Sequence, residues 1–302
     1  MTNKDQGGEI REIAFIGTGV MGASMAGHLM DAGYALSVYN RTRSKTDALV
    51  KKGAAWRESA GEAAASADAV ITIVGYPKDV EEIYLGPGGI IERARPGALL
   101  IDMTTSSPDL AVRIHEAARH REIRACDAPV TGGDKGAREA TLSVLFGGDE
   151  RDYERALPVL RVMGKNIARF GGAGSGQTAK LANQIIISGA MLGVCEGLAY
   201  AQRLGLDAEE LLNCVSGGAA SSWSLLNYGP RILRGDFTPG FFVKHFIKDM
   251  RLALESALSA GISPEGLKTA LSQYEKLSER GGAEDGTQGL YRIYREEARA
   301  GG

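Results

Sequence analysis

Three glycines in one short segment are the first residues whose spacing suggests chemistry. Gly17-Thr18-Gly19-Val20-Met21-Gly22 has the G-x-G-x-x-G pattern. It stands between an apolar run, Ile13-Ala14-Phe15-Ile16, and a stretch from Ser24 to Ala32 with helical apolar spacing (Met25, Leu29) that stops at Gly33. In that setting each glycine has a task. Gly17 permits the tight turn, Gly19 admits a pyrophosphate close to the backbone, and Gly22 lets the helix pack on the strand. The helix start, with Thr18, Val20 and Met21 in the same loop, offers N–H groups and the positive dipole end to phosphates. Ala35 to Tyr39 follows as a second strand, so the unit is βαβ and binds a dinucleotide. The bland alternative is a tight turn with no ligand.

The end of the second strand selects between nicotinamide cofactors. An acidic residue there would bind a ribose 2′-hydroxyl. This chain has Asn40-Arg41-Thr42-Arg43-Ser44-Lys45 instead. Arg41 can pair bidentately with a 2′-phosphate, with Asn40 or Thr42 as neutral partners. The reading is NADP preferred and NAD also admitted, against a merely solvated basic loop.

Two more clusters carry chemical groups. Lys180 and Asn183 are i and i+3 on a long helical stretch and share a face. A lysine desolvated at a joint between domains has its pKa lowered toward the working pH, and can then exchange a proton with a substrate hydroxyl. Asn183 can hydrogen-bond the same oxygen. From the residues alone, a solvated lysine on an amphipathic helix stands equal to that reading. Thr131-Gly132-Gly133 follows an apolar strand, at the carboxyl edge where open sheets bind ligands. One hydroxyl and two unencumbered N–H groups suit a carboxylate, although a Gly-Gly pair also suits a plain turn.

The elements that must position these groups read as follows. Val70 to Val74, Ala98 to Asp102 and Ile123 to Asp127 are further strands, with helical segments from Ala60 and over Leu110 to His120 between them. Leu142 to Phe146 and Ala168 to Phe170 complete the sheet. Strands alternating with helices mean α/β with a mainly parallel sheet. Gly171 to Gly176 is a glycine-dense joint, and Gln177 to Leu204 then runs as a helix apolar on more than one face, which implies burial. Helices over Ala208–Val215, Ser222–Leu233, Lys244–Ala260 and Pro264–Glu279 follow. The expected architecture is a Rossmann-type doubly wound domain, residues 1–173, joined by a long interdomain helix to an all-α domain, residues 174–302.

Composition excludes other classes. The chain has 302 residues, 35 Lys+Arg and 37 Asp+Glu, a formal charge of −2, which argues against a nucleic-acid or anionic-membrane surface. Met1 to Glu12 carry charge and no apolar core of a signal peptide, and Gln184 to Tyr200 reads as too short and too interrupted, by Glu196 and glycines, for a membrane span. Cys126, Cys195 and Cys214 form no C-x-x-C pair, and the histidines show no metal-ligand spacing. The expectation is a cytoplasmic protein without a metal. The long apolar helix needs more cover than four shorter helices give, so a homodimer or homotetramer is expected.

Four blocks together resemble the β-hydroxyacid dehydrogenase family, that of 3-hydroxyisobutyrate dehydrogenase. They are Ile16-Gly17-Thr18-Gly19-Val20-Met21-Gly22-Ala23-Ser24-Met25-Ala26, Asp127-Ala128-Pro129-Val130-Thr131-Gly132-Gly133, Gly174 to Asn183, and Lys244-His245-Phe246-Ile247-Lys248-Asp249-Met250. They span almost the whole chain. Thr131 stands where the family usually has Ser, and His28, where it usually has Asn, reads as packing. The resemblance implies nicotinamide-dependent interconversion of a small β-hydroxyacid and its semialdehyde. It implies Lys180 and Asn183 as catalytic residues that also bind substrate with Thr131, Gly132 and Gly133. It places Thr105 and Lys248 against the cofactor. Trp223 is a candidate pocket wall or a core residue. A glyoxylate or succinic-semialdehyde reductase is the nearest alternative. Lys180 counts against an imine reductase and against a non-catalytic cofactor-binding protein.

Overall fold

The computed structural model describes residues 8–300. Residues 1–7, part of the segment read above as lacking a signal peptide, lie outside the described residues. The chain divides into two units, Met1–Lys180 and Leu181–Gly302.

Among the described residues the first unit holds nine strands: β1 (Glu12–Ile16), β2 (Ala35–Tyr39), β3 (Ala55–Trp56), β4 (Ala69–Thr72), β5 (Leu99–Asp102), β6 (Arg124–Asp127), β7 (Val130–Thr131), β8 (Leu142–Gly147) and β9 (Gly164–Gly171). Their order is β3-β2-β1-β4-β5-β6-β8-β7, with β9 also on β8. The strands β1 to β6 pair in parallel, which requires a crossover between each successive pair. The far end is mixed: β8 runs antiparallel to β6 and β7. β1 lies between β2 and β4, so the chain winds first to one side and then to the other. The loop after β1 therefore sits at the switch point of the sheet, where α/β folds open a crevice for ligands.

Side-chain alternation explains why both faces of this sheet are covered. Ile13 and Phe15 of β1 enter one buried cluster with Met25, Leu29, Val159 and Leu160. Ala14 and Ile16 enter the other, with Ala60, Val80, Leu110 and Ile114. The C-terminal ends of three neighbouring strands are in register, Thr72 beside Asp102 and Asp102 beside Asp127.

The second unit is helical. Its helices are Ala208–Val215, Trp223–Leu233, Val243–Ser259, Glu265–Leu277 and Tyr291–Ala300, with the later part of the Ser175–Arg203 helix. One isolated bridge, Phe242 with Gly286, is its extended pairing among the described residues. Leu181, Met191, Cys195, Leu198, Phe246 and Tyr274 are in its core.

Two expectations about the long helix need correction. It is 29 residues long, with a window of mean hydropathy 1.4, so by length and composition it would reach across a bilayer. Nor is it buried all round: Ile186 is 71% exposed and Tyr200 68%. Its apolar residues exceed what one packed stripe requires, and among the described residues one side of it stays uncovered.

Candidate functional site

Local packing accounts for two of the three loop glycines. Gly17 has φ +98°, and a Cβ there would lie 2.0 Å from Ile73 O. A Cβ at Gly22 would lie 1.9 Å from Gly17 O. Gly19 differs. Its backbone is ordinary (φ −71°, ψ −162°), and a Cβ would meet nothing within 4 Å among the described residues. The fold itself does not require glycine at this position. It caps the Val20–Asp31 helix, whose first turn has no side-chain cap and no acidic residue. Thr18 is buried with no hydrogen-bond partner for its Oγ1 among the described residues. An open backbone, uncapped amides and an unsatisfied hydroxyl fit a dinucleotide pyrophosphate. Val20 is exposed and Met21 half-buried beside them.

The end of β2 is tied to this loop. Thr18 N–H donates to Asn40 Oδ1 at 3.1 Å, and Asn40 Nδ2 donates to Thr42 O at 2.9 Å. Asn40 thus braces the loop from beneath. Arg41 extends into solvent, its side chain 85% exposed, and pairs with Asp79 at 3.2 Å. Asp79 also accepts from Tyr76 N–H at the start of the Pro77–Leu85 helix. Thr42 is exposed.

At the ends of β4, β5 and β6 lies a buried polar network that sequence reasoning missed. Thr72 Oγ1 donates to Asp102 Oδ1 at 2.7 Å, and Tyr84 OH lies 2.9 Å from Thr72 Oγ1. Asp102 also accepts from Thr104 N–H. Asp127 accepts from Gly174 N–H and Gln177 N–H, each at 2.7 Å, and so caps the start of the Ser175–Arg203 helix. The Gln177 side chain spans back: its Nε2 donates to Thr104 O at 2.7 Å and its Oε1 accepts from Ser106 N–H at 2.8 Å. Thr105, half-buried, is held between those two clamped residues. Burial pushes the Asp127 carboxyl up to about 6, against its two amide donors, with the Asp102 charge adding to the rise. Gly147 and Gly176 leave room for this knot, since a Cβ on either would fall within 3 Å of Asp127 oxygens.

Lys180 comes three residues after Gln177 on that helix and is 6% exposed. That is not the solvated lysine of the competing reading. Thr131 is half-buried, at the end of β7, and Gly132 and Gly133 have φ of +127° and +62°. These positive angles favour glycine at the turn that starts the Gly133–Arg138 helix. His28 Nε2 lies 3.0 Å from both Ala137 O and Arg138 O, so it donates to the end of that helix and has a packing role.

In the second unit Asn183, half-buried, donates from Nδ2 to Gln184 Oε1 at 3.1 Å. Gln184 Nε2 donates to Asp249 Oδ2 at 2.6 Å. Lys248 Nζ is 2.9 Å from Asp249 Oδ1, a close ion pair that is off hydrogen-bond alignment. Lys244 pairs with Glu284 at 2.6 Å, so each of the two like-charged lysines has its own carboxylate. Trp223 is 53% exposed and packs edge-on against Tyr228, so it is not a core residue.

The family described as the NAD binding domain of 6-phosphogluconate dehydrogenase matches residues 12–172. That described as the NAD-binding of NADP-dependent 3-hydroxyisobutyrate dehydrogenase matches residues 174–294. The uncharacterized oxidoreductase YkwC of Bacillus subtilis is 50% identical over 94% of this chain and 99% of its own. The probable 3-hydroxyisobutyrate dehydrogenase-like 1, mitochondrial, of Arabidopsis thaliana is 47% identical over 92% of this chain and 84% of its own. Among solved structures, Mycobacterium tuberculosis 3-hydroxyisobutyrate dehydrogenase with L-serine superposes with a TM-score of 0.87 at 32% identity, covering 95% of this chain and 99% of that one.

Proposed function

Because the chain belongs to the β-hydroxyacid dehydrogenase family, as an NAD(P)-dependent oxidoreductase acting on CH–OH groups, we propose that it interconverts a small β-hydroxyacid and its semialdehyde with NADP preferred. The substrate class follows 3-hydroxyisobutyrate, with serine, a hydroxybutyrate and tartronate semialdehyde as the other members to assay. When bound, the nicotinamide dinucleotide supplies or accepts the hydride.

The chain's own residues do the rest. The Gly17–Gly22 loop binds the pyrophosphate with backbone N–H groups. Arg41 meets the 2′-phosphate, exchanging an exposed ion pair with Asp79 that stabilises by only about 0–1 kcal/mol. Thr105 and Lys248 contact the same ligand. Thr131 and the Gly132 and Gly133 amides receive the substrate carboxylate. Lys180 takes the hydroxyl proton in oxidation and returns it in reduction, and Asn183 hydrogen-bonds the reacting oxygen. The observation that carries this reading is the burial of Lys180 one turn beyond a helix start fixed by Asp127 and Gln177.

The test is Lys180→Arg against wild type, with saturating dinucleotide and a panel of hydroxyacids and semialdehydes. Arginine keeps the charge but cannot release a proton near neutral pH. A loss of about 10²–10⁴-fold in kcat is expected, with dinucleotide affinity retained. Substantial turnover by the arginine variant would move the proton carrier elsewhere.

Self-association as a homodimer or homotetramer is part of the same proposal. The exposed side of the long helix carries Ile186 and Tyr200, with Gly189, Gly193 and Gly197 at helical spacing between them. A Cβ on any of these glycines meets nothing within 4 Å, so another helix can approach closely there. Sedimentation showing a monomer at micromolar concentration would overturn it.

A further inference from the structure

Asn40 to Lys45, after β2, include no acidic residue, yet a carboxylate reaches Arg41 from elsewhere in the first unit. Arg41 Nη1 donates to Asp79 Oδ1 at 3.2 Å, across 38 positions of sequence. Asp79 belongs to the first turn of the Pro77–Leu85 helix. The two partners are held unequally. The Arg41 side chain is 85% exposed, that of Asp79 only 13%. Asp79 Oδ2 also accepts from Tyr76 N–H at 3.1 Å, and a Cβ on Gly75 would come 3.3 Å from that oxygen. The arginine can swing, whereas the carboxylate cannot turn away without giving up its backbone donor.

That inequality matters to an anion that needs Arg41. A phosphate monoester carries more than one negative charge at neutral pH. To pair with Arg41 it must either draw the guanidinium off Asp79 or share it with a carboxylate that stays in place. In both cases it approaches a fixed negative charge. A ribose 2′-hydroxyl is neutral and meets neither cost. We propose that Asp79 is a specificity-determining residue that restrains the preference for NADP over NAD: its anchored carboxylate competes with the 2′-phosphate for Arg41. The proposal rests on the reading of Arg41 as the group that meets that phosphate. The helix start does not need the charge, since an asparagine carbonyl can accept from Tyr76 N–H in the same way.

The test uses the full-length protein and Asp79→Asn. The new amide keeps an oxygen for Tyr76 N–H and turns Nδ2, a donor, toward Arg41, so the ion pair is lost while the helix start stays bonded. Fluorescence titration with reduced NADP and reduced NAD reads the whole cofactors. Calorimetry with 2′,5′-ADP and 5′-AMP isolates the phosphate from the nicotinamide end. Reduced NADP and 2′,5′-ADP should bind about 2- to 10-fold tighter in the variant, the scale of an exposed ion pair together with the repulsion it leaves. Reduced NAD and 5′-AMP should bind as in wild type. The gain should shrink at high ionic strength, where exposed charges are screened. A merely structural role for Asp79 would instead lower the melting temperature and weaken all four ligands together, which would overturn the proposal.

Arg41→Ala separates the proposal from the reading beneath it. If Arg41→Ala weakens reduced NADP selectively while Asp79→Asn keeps the wild-type ratio of the two affinities, Arg41 reads the phosphate and the proposal alone falls. If Arg41→Ala weakens both nucleotides equally, the reading of Arg41 fails and the proposal with it. None of these measurements needs turnover, so a wild type that oxidises no hydroxyacid defeats the proposed substrate class and leaves this test intact. Weaker binding of reduced NADP by Asp79→Asn would also overturn the proposal, because Asp79 would then be holding Arg41 toward the phosphate and not away from it.

Discussion

Replacing Gly19 by alanine separates what the dinucleotide loop needs for folding from what it needs for binding. A Cβ at Gly17 or Gly22 would fall 2.0 or 1.9 Å from a backbone carbonyl oxygen, so either substitution must move backbone. At Gly19 the same methyl enters open space and the backbone angles suit alanine. The unfolded chain loses freedom when glycine is removed, so Gly19→Ala should be as stable as wild type or more stable by about 0.4–1 kcal/mol. The penalty falls on the ligand. A methyl forced into a packed contact costs about 1–3 kcal/mol, which is roughly a 5- to 150-fold rise in Kd. Urea denaturation of the two proteins, beside fluorescence titration with reduced NADP and reduced NAD, measures both quantities. The expected pattern is an unchanged or raised urea midpoint with weaker binding of both nucleotides, since both carry the pyrophosphate. Equal affinity in Gly19→Ala and wild type would refute the reasoning that a ligand accounts for the glycine.

Two further predictions concern charge. Arg41→Ala should weaken NADP binding about 10- to 100-fold, the scale of a charged hydrogen bond, and leave NAD binding and stability nearly unchanged, because its bond to Asp79 is exposed; equal loss for both nucleotides would make Arg41 a loop brace. Asp127 binds its proton more tightly folded than unfolded, so its contribution to stability is fully present below pH about 4 and is lost as pH rises through about 6. The rise from 3.8 to about 6 corresponds to about 3 kcal/mol. The stability of wild type relative to Asp127→Asn should fall by that order between pH about 4 and about 7, and a pH-independent difference in urea denaturation would contradict it.

The parts of the fold legible in the sequence were those with an unbroken period. Ala35–Tyr39 and Ala208–Val215 have the expected bounds. β3 and β7 are two residues each, too short for any alternation to register. The Glu150–Met163 helix buries Ala156, Val159, Leu160 and Met163, but Pro158 in its middle hides that stripe. The antiparallel turn of β8 is a pairing partner and not a composition, so no local signal carries it. The site divides in the same way. Gly17, Gly19 and Gly22 are visible because their types and spacing are specific, and Lys180 because it lies in a block that carries the family resemblance. Asp127, Gln177, Gln184 and Asp249 lay inside or beside the blocks that carried the family resemblance, yet their roles depend on partners 47 to 73 residues away for the first pair and 65 for the second. One signal was available at two of them: Asp127 between Cys126 and Ala128 and Gln184 before Ile185-Ile186-Ile187 are polar residues in apolar stretches, and buried polar groups are kept only where they are bonded.

That placement also bears on how the first unit uses its stability. An unpaired buried polar group costs about 1–3 kcal/mol. Yet Thr72, Asp102, Thr104, Ser106, Asp127 and Gln177 are all buried together at one edge of the sheet. An apolar edge would pack as well and need no pairing. What the polar edge adds is direction. Asp102 fixes Thr104, Gln177 fixes the backbone on both sides of Thr105, and Asp127 fixes the first turn of the helix that carries Lys180. Apolar contacts tolerate shifts that a 2.7 Å hydrogen bond does not. The two carboxylates in register even oppose one another, which contributes to the rise at Asp127. A fold that keeps that repulsion in its interior gains no stability from it, and the return lies in where Thr105 and Lys180 are held.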